Sequence, residues 1–438
     1  MRLSLVLCLA LLVLSFPAYA YRTSAWVPSW DSNAIPILGV HARDLDETNP
    51  GWFYANADGT VKASGEDPRL RAALTGTLLM PTIKNYVNGS FDGTMAANLV
   101  NSTSLREKHA DAIAQLVVQN GYDGIDVDYE RMPSTARAGF STFVQLLASK
   151  LHASNKKLSV TVYAKTSDAT WSGPGAQDWP AIGAVADSVK IMAYDNHWST
   201  SAAGPISPLD WLDQIATYAE QTLPIKKAML GLPWYGYDWA GSNGAAVTYS
   251  EAMARAQSAG VTVNHDTNGE ATFSYGQRTA FFQDAASYRR KVEWIVSRHS
   301  GIGGFAHWRV GAEDPAIWDI VSSLRATGRV PAEAPRKDFA IDGPLDITAA
   351  AGTQISTRYS IVAVNGFSDP VSMSARVVDA FGATPAISGT SMNVAVPVTT
   401  APGAYRITVT MTGGGISHEQ VVTLHVTTAR YAKRRAVR

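Results

Sequence analysis

Short apolar runs typical of buried β-strands alternate with amphipathic helical stretches between residues 21 and 328. The strand-like runs are residues 24–27, 51–54, 77–83, 124–130, 158–164, 188–194, 228–232 and 303–308. Strands that alternate with helices are typical of a parallel sheet whose helices lie outside it. Eight such units predict an α/β fold of the (β/α)8 TIM-barrel type.

The alternation breaks between residues 239 and 281. There the pattern predicts a helix at 249–259, followed by short strands at 262–264 and 272–275 around a turn. We therefore expect a short α+β insertion before the eighth strand.

A second domain is expected after the barrel domain, which we assign to residues 21–328. Residues 329–338 are rich in proline and predict a stiff linker. From 339 to 428, short alternating runs separated by turn residues predict a β-sandwich, with strands at 345–349, 355–362, 371–378, 392–398, 405–411 and 420–426. Residues 402–410 resemble the immunoglobulin-like modules of bacterial secreted proteins. Aromatic residues are few here, which favours a spacer over a sugar-binding module.

The two ends of the chain have distinct compositions. Arg2, an apolar run over 3–16 and the small residues Ala18 and Ala20 predict a signal peptide over residues 1–20, cleaved after Ala20. The alternative is a membrane anchor, but about fourteen apolar residues are short for a span of about twenty. We therefore expect a secreted protein, extracellular or periplasmic. Residues 429–438 form a basic tail, expected to be a solvated end.

The composition narrows the classes of partner. The chain has 37 basic and 37 acidic residues, which gives no reason to expect nucleic acid as a partner. No histidine or carboxylate cluster has the spacing of a metal site, and we expect neither a metal nor another cofactor. Twelve Trp and seventeen Tyr are many, and aromatic faces stack on sugar rings, although both also serve as core residues. We expect a monomer without a membrane span.

The stretch from Asp123 to Glu130 carries four carboxylates in eight residues. On a strand, Asp126, Asp128 and Glu130 share one face, with neighbours about 7 Å apart. Such carboxylates repel one another unless they share a proton or bind something, which indicates a site. Asp123 is an odd number of residues away from these three carboxylates, so its side chain would point to the opposite face. It is expected to be a structural partner at the start of the strand. A calcium loop needs another Gly and Glu spacing, and an exposed acidic edge strand does not fit the flanking helices.

This acidic stretch resembles the signature of glycoside hydrolase family 18, the family of chitinases and related N-acetylglucosaminidases. Residues 192–195, 231–238 and 303–308 resemble three further motifs of that family, in the family's order. The resemblance covers about residues 22–328 and implies the barrel. It also implies substrate-assisted catalysis, in which the acetamido oxygen of the sugar attacks the anomeric carbon and forms an oxazolinium ion.

The resemblance implies a role for each carboxylate on the shared face. Glu130 would protonate the leaving oxygen and then deprotonate the incoming water. Asp128 would orient the acetamide N–H and stabilise the positive charge, and Asp126 would hold the proton that lets Asp128 turn. Like charges in a dry barrel would raise the pKa of Glu130, so that it is protonated when substrate binds.

The family motifs imply further contacts with the substrate. Tyr194 would donate its hydroxyl to the acetamido carbonyl, and Asp195 would contact Glu130 or the sugar. Without the motif, Tyr194 would be interpreted as an ordinary core residue. The residues predicted to contact sugar are Trp308, Met192, Tyr235, Trp234, Trp26 and Trp52. For Trp26 and Trp52, packing at the rim is an equal alternative.

We therefore expect a glycosidase that cleaves β-1,4-N-acetylglucosaminide bonds of chitin or chito-oligosaccharides with retention. Its partner would be a polysaccharide or oligosaccharide containing N-acetylglucosamine. One alternative is a peptidoglycan or spore-wall N-acetylglucosaminidase, because residues 230–239 and 308–315 resemble that branch of the family. Another is a non-hydrolytic chitin-binding lectin on the same fold, against which the presence of Glu130 argues.

Overall fold

The computed structural model describes residues 20–331, 338–364, 367–414 and 416–428. The predicted signal peptide, apart from Ala20, lies outside the described residues, and so do the basic tail and residues 332–337 of the predicted linker. In the part of the chain that is described, no helix is both long and apolar enough to cross a membrane.

Strands and helices alternate through the first part of the chain. The strands are β1 (Arg22–Val27), β2 (Glu47–Pro50), β3 (Phe53–Ala55), β4 (Val61–Ala63), β5 (Leu78–Leu79), β6 (Thr82–Lys84), β7 (Tyr86–Val87), β8 (Ser90–Phe91), β9 (Gly124–Asp128), β10 (Lys157–Tyr163), β11 (Ser188–Met192), β12 (Ala228–Pro233), β13 (Gly236–Ala240), β14 (Asn243–Val247), β15 (Asn264–His265), β16 (Ala271–Tyr275), β17 (Arg278–Phe282) and β18 (Gly304–Trp308). The helices are α1 (Ala34–His41), α2 (Pro68–Ala73), α3 (Gly93–Asn101), α4 (Thr103–Gln119), α5 (Arg137–His152), α6 (Trp179–Val185), α7 (Leu209–Thr222), α8 (Tyr249–Ala259), α9 (Ala285–Arg298) and α10 (Ile317–Thr327).

Eleven strands form one curled sheet of the TIM-barrel kind, in the order β4-β3-β6-β9-β10-β11-β12-β18-β1-β2-β5. The first strand of the chain, β1, pairs in parallel with β18 on one side and with β2 on the other. Only Met80 and Pro81 separate β5, at one end of this order, from β6, near the other end. The sheet therefore curls back on itself, and the predicted barrel-like sheet is confirmed. The (β/α)8 arrangement in detail stays a prediction.

One predicted strand is displaced and another is divided in the structure. The strand predicted at 51–54 overlaps only β3, which pairs with β6, whereas β2, which pairs with β1, was not predicted. In place of one strand at 77–83, β5 and β6 are separated by Met80 and Pro81. The proline has no N–H to donate, so the ladder is interrupted there.

The insertion before β18 is larger than the sequence predicts. Helix α8 spans 249–259 as expected; Thr248 and Glu251 form a capping box at its start, and Gly260 ends it in the left-handed conformation. A five-stranded antiparallel sheet, β14-β13-β17-β16-β15, accompanies this helix. The sequence did not predict β13, β14 or β17, and β14 consists of Asn, Gly, Ala and Val with only one strong strand former.

The C-terminal part is β-rich and has a hydrophobic core of its own. Its strands are β19 (Asp338–Asp342), β20 (Asp346–Ala350), β21 (Gln354–Arg358), β22 (Ser360–Val364), β23 (Val371–Val377), β24 (Ala386–Ser388), β25 (Ser391–Ala395), β26 (Gly403–Gly413) and β27 (Ile416–Thr427). They form sheets in the orders β20-β27-β26-β23, β21-β25-β24 and β19-β22. The strand predicted at 355–362 is divided into β21 and β22. The immunoglobulin-like assignment stays a prediction.

Candidate active site

The acidic strand β9 lies between β6 and β10 in the curled sheet. All five of its residues are buried, and Glu130 follows two residues after the strand ends. The first residue of the strand, Gly124, has no room for a side chain because β10 passes very close to it. A Cβ built there would lie 2.2 Å from the carbonyl oxygen of Lys157. Asp123, which has the other parity, accepts a hydrogen bond from the backbone N–H of Leu79 at 2.8 Å, a structural contact.

Asp126 is fully buried beneath the cleft and accepts hydrogen bonds from several elements. Its donors are Ser159 Oγ at 2.6 Å, Trp26 Nε1 at 3.0 Å, Thr82 Oγ1 and Thr161 Oγ1 at 3.1 Å, and Lys190 Nζ at 3.4 Å. The Lys190 ammonium, also fully buried, forms an ion pair with Glu47 and donates to Asn49 Oδ1 at 2.6 Å. These contacts fix the orientation of the Asp126 carboxylate. The proton-holding role of Asp126 stays a prediction.

Asp128 stands next to this network, and one of its oxygens is unused. Oδ1 is buried and has no hydrogen-bond partner among the described residues. Burial raises the pKa of Asp128 well above its ordinary value, and the negative charge of Glu130 adds to that rise, while the ammonium of Lys84 opposes it. An acceptor that is left unsatisfied in a buried wall is costly unless a ligand completes it.

Glu130 lines the cleft and is held through both its side chain and its backbone. Its Oε2 accepts a hydrogen bond from the Tyr163 hydroxyl at 2.8 Å. Asn85 accepts from the Glu130 N–H at 2.9 Å and donates to the Glu130 carbonyl at 2.9 Å. Burial raises the pKa of Glu130, and the Tyr163 hydrogen bond opposes the rise. The raised pKa favours the protonated carboxyl group that a general acid needs.

Tyr194 and Asp195 follow β11 at the same end of the sheet as Glu130, and both line the cleft. Asp195 has a left-handed backbone (φ 60°) and accepts hydrogen bonds from the Tyr235 hydroxyl and, at 3.2 Å, from the Tyr237 hydroxyl. Burial raises the pKa of Asp195, and the hydrogen bonds from these two hydroxyls oppose the rise. Burial raises the pKa of Tyr194 as well, so its phenol remains a donor.

Aromatic side chains form the walls of a cleft of about 570 Å³. Trp308 lies against Trp26 and Trp30, with ring centroids 6.3 Å apart in each pair. The lining residues are Trp26, Trp30, Tyr54, Lys84, Tyr86, Phe91, Asp128, Glu130, Arg131, Thr161, Tyr163, Ala164, Met192, Tyr194, Asp195, Trp211 and Trp308. An aromatic floor with convergent carboxyl groups can hold a sugar ring and protonate its glycosidic oxygen.

Three predicted sugar-contacting residues do not line this cleft. Trp234 is fully buried and stacks on His307 at 4.3 Å between centroids. Successive strand residues point to opposite faces, so a ring on His307 lies across the sheet from Trp308. Trp52 is buried against Tyr122, which precedes β9 and so lies at the other end of that strand from Glu130. Tyr235 is buried next to the cleft lining, and its hydroxyl donates to the Asp195 carboxylate.

Several residues of the site were not predicted from the sequence. Those that line the cleft include Lys84, Arg131, Tyr163, Trp30 and Trp211. Asn85 and Lys190 are buried outside the lining and contact Glu130 and Asp126, respectively. One signal was present for Lys84: β6 alternates Thr82, Ile83 and Lys84, so a charged residue ends a barrel strand on the face that carries Thr82. The same kind of signal was present for Lys190, which lies between Val189 and Ile191 in β11. For Asn85 no local signal exists, because its partner Glu130 is 45 residues away.

Comparison with known proteins identifies the family of the chain. The profile of Glycosyl hydrolases family 18 matches residues 86–313, more than half of the chain. The cortical fragment-lytic enzyme of Bacillus anthracis is 27% identical over 285 residues, which are 61% of this chain and 65% of that protein, slightly less than two thirds of its length. The class V chitinase of Arabidopsis thaliana is 24% identical over 290 residues, 56% of this chain and 76% of that one.

Two solved structures share the fold. The chitinase from Chromobacterium violaceum ATCC 12472 aligns with a TM-score of 0.65 and 27% identity, covering 70% of this chain and 99% of that one. The Bacillus cereus spore cortex-lytic enzyme SleL aligns with a TM-score of 0.65 and 25% identity, covering 70% and 74%. With the family profile matching across the acidic strand and its cleft, this chain belongs to glycosyl hydrolases family 18, a family of glycosidases.

Proposed function

We propose that the protein is a secreted enzyme, on a (β/α)8 barrel, that cleaves β-1,4-N-acetylglucosaminide bonds in chitin or chito-oligosaccharides with retention of configuration. The observation that carries this proposal is the pairing of two differently placed carboxyl groups, Asp128 at the end of β9 and Glu130 two residues beyond it. Asp128 offers a buried, unused acceptor, and Glu130 reaches the cleft with a raised pKa.

The acetamido group of the substrate fits the role of internal nucleophile. Its N–H would donate to Asp128 Oδ1, which lacks a partner among the described residues. Its carbonyl oxygen, oriented by the Tyr194 hydroxyl, would then attack the anomeric carbon as the glycosidic bond breaks. The positive charge of the resulting oxazolinium ion would lie beside the Asp128 carboxylate. No carboxylate of the protein has to act as the nucleophile.

Glu130 would move the proton in both steps. It gives its proton to the departing glycosidic oxygen as the first bond breaks, and it later takes a proton from the water that opens the oxazolinium ring. Its raised pKa supports the first role, and the Tyr163 hydrogen bond to Oε2 supports the ionised form needed for the second. At the end of the cycle Glu130 is protonated again.

The sugar ring itself would rest on Trp308. That ring forms one wall of the cleft, next to Trp26, and Met192 lies in the same lining. An indole face buries the apolar face of a pyranose, and the polar edge of the sugar is left for carboxyl and hydroxyl groups.

The experiment is hydrolysis of chito-oligosaccharides, followed by proton NMR of the freshly released reducing ends. We expect cleavage with the β-anomer appearing first, because two inversions give retention. An α-anomer that appears first would contradict the oxazolinium route. A chain that binds the oligosaccharide and never cleaves it would instead be a lectin.

A second candidate function is cleavage of N-acetylglucosaminide bonds in peptidoglycan. The observation that favours it is the similarity to the cortical fragment-lytic enzyme of Bacillus anthracis and to the Bacillus cereus spore cortex-lytic enzyme SleL. Purified peptidoglycan, digested in parallel with the chito-oligosaccharides, separates the two. Release of fragments from peptidoglycan alone would assign the second function.

A further inference from the structure

Lys84 ends β6 directly beside the acidic row. In the parallel register of β6 and β9, Thr82 is opposite Asp126 and Lys84 is opposite Asp128, so both side chains of β6 face the site. Lys84 is only 8% exposed, yet it lines the cleft. Its side chain therefore brings a cation to the substrate, among groups that are mostly acidic.

The Lys84 ammonium lies over two tryptophan rings at the cleft wall. Nζ is 5.6 Å from the centroid of Trp30 and 5.9 Å from that of Trp308. Trp30 is 64% exposed, so its ring is available to a ligand. The backbone of Gly51 makes room for the ammonium, because a Cβ at that position would lie 3.2 Å from Nζ.

No hydrogen bond or ion pair joins this ammonium to another residue that the structure describes. A largely buried cation is costly unless it is paired, and an ammonium has three N–H groups to donate. Contacts with ring faces satisfy the charge in part and leave N–H groups directed to the cleft. The ammonium thus has N–H groups for which the described residues supply no acceptor.

A polymer of N-acetylglucosamine alone is neutral and offers no anionic group. We propose that Lys84 and Trp30, next to Trp308, form a subsite for an amino sugar that carries a carboxylate, such as the lactyl ether of N-acetylmuramic acid. The ring of that sugar stacks on indole, and its carboxylate accepts from the ammonium. The inference rests on the proposed N-acetylglucosaminidase activity and specifies the sugar that neighbours the cleaved residue.

Lys84 has a second effect that the test must separate. Its charge lowers the pKa values of both Asp128 and Glu130, and this effect acts on every substrate. If Lys84 only shifted the pKa values of these carboxyl groups, its replacement would change the rate on neutral and anionic glycans by the same factor. If Lys84 also binds a substrate carboxylate, its replacement causes an additional loss on the anionic glycan alone.

The experiment compares three tetrasaccharides: chitotetraose, a tetramer alternating N-acetylglucosamine with N-acetylmuramic acid, and that same tetramer with its carboxylates converted to amides. For Lys84→Met we expect kcat/KM to fall about tenfold or more on the carboxylate tetramer and less than about threefold on the other two. Lys84→Arg keeps the charge and should restore most of the loss. Arg131→Met removes another cleft cation as the matched control, and we expect it to affect the three substrates alike.

Equal losses on all three substrates would overturn the subsite and leave the proposed glycosidase activity intact. If the wild-type chain cleaves none of them, the proposed function fails, and the subsite is then tested by binding. On a Glu130→Gln background, calorimetry should show that Lys84→Met weakens binding of the carboxylate tetramer about tenfold but leaves the amide tetramer unchanged. Unchanged binding of both tetramers would refute the proposal.

Discussion

Replacing Lys190 by Met should destabilise the catalytic part of the chain strongly. The Lys190 ammonium is fully buried, pairs with Glu47 and lies 3.4 Å from Asp126 Oδ1. Methionine has a similar length but no charge, so two buried carboxylates would lose their only cation within 4.0 Å among the described residues. Breaking a buried pair by removing one partner costs about 3–5 kcal/mol. We expect the free energy of unfolding to fall by about that amount.

The assay is guanidinium unfolding followed by tryptophan fluorescence. All twelve tryptophans lie before residue 330, so the signal reports on the catalytic part and not on the C-terminal sheets. Lys62→Met, on an exposed position of β4, is the control and should change stability by about 0.5 kcal/mol or less.

The double variant Lys190→Met with Glu47→Gln tests the electrostatic reasoning. It removes one anion together with the cation, so we expect it to be more stable than Lys190→Met alone. A single variant that loses less than about 1 kcal/mol would refute the reasoning. A double variant no more stable than the single one would show that packing, and not charge, accounts for the loss.

Two further predictions concern the placement and tuning of Glu130. Tyr163→Phe removes the hydroxyl that favours ionised Glu130, so the pKa of that carboxyl should rise. Glu130 must be protonated to act as an acid. The alkaline limb of the pH profile of kcat/KM should therefore move to higher pH by about half to one unit. A shift of that limb to lower pH would contradict the expected rise of the Glu130 pKa. Asn85→Ala removes three hydrogen bonds, two of them to the Glu130 backbone, and should lower kcat about tenfold with little change in KM. Steady-state kinetics on chitotetraose checks this, with thermal melting to verify folding, and an unchanged kcat would contradict it.

The sequence predicted well those features that depend on residues close together in the chain. The alternation of apolar and acidic residues correctly indicated a buried strand with Asp126 and Asp128 on one face, although the strand ends at Asp128 and not at Glu130 as predicted. The opposite parity of Asp123 indicated a structural contact, and the carboxylate accepts from the Leu79 N–H. Period and parity are local properties, so they can be counted without knowledge of the fold.

The features that sequence analysis missed depend on contacts between distant strands. Lys190 is 64 residues from Asp126 and 143 from Glu47, and Asn85 is 45 from Glu130. Trp234 was expected near sugar because of the family motif that contains it, and Trp52 because it lies at the end of an early strand, with rim packing as an equal alternative. Which face a ring takes beyond a strand end depends on its neighbours, and His307 and Tyr122 hold these two rings away from the cleft.

In the proposed mechanism Glu130 supplies the proton for glycosidic cleavage, and the variant Glu130→Gln removes that proton donor. Glutamine has nearly the same shape as glutamate, but its amide group cannot donate a proton as a carboxylic acid does. The measurement is kcat for chitotetraose, together with the Kd of the same sugar by calorimetry. We expect kcat to fall by about 10²–10⁴ while Kd changes little, because the aromatic side chains that hold the sugar are intact. A variant that retains the wild-type kcat would contradict it.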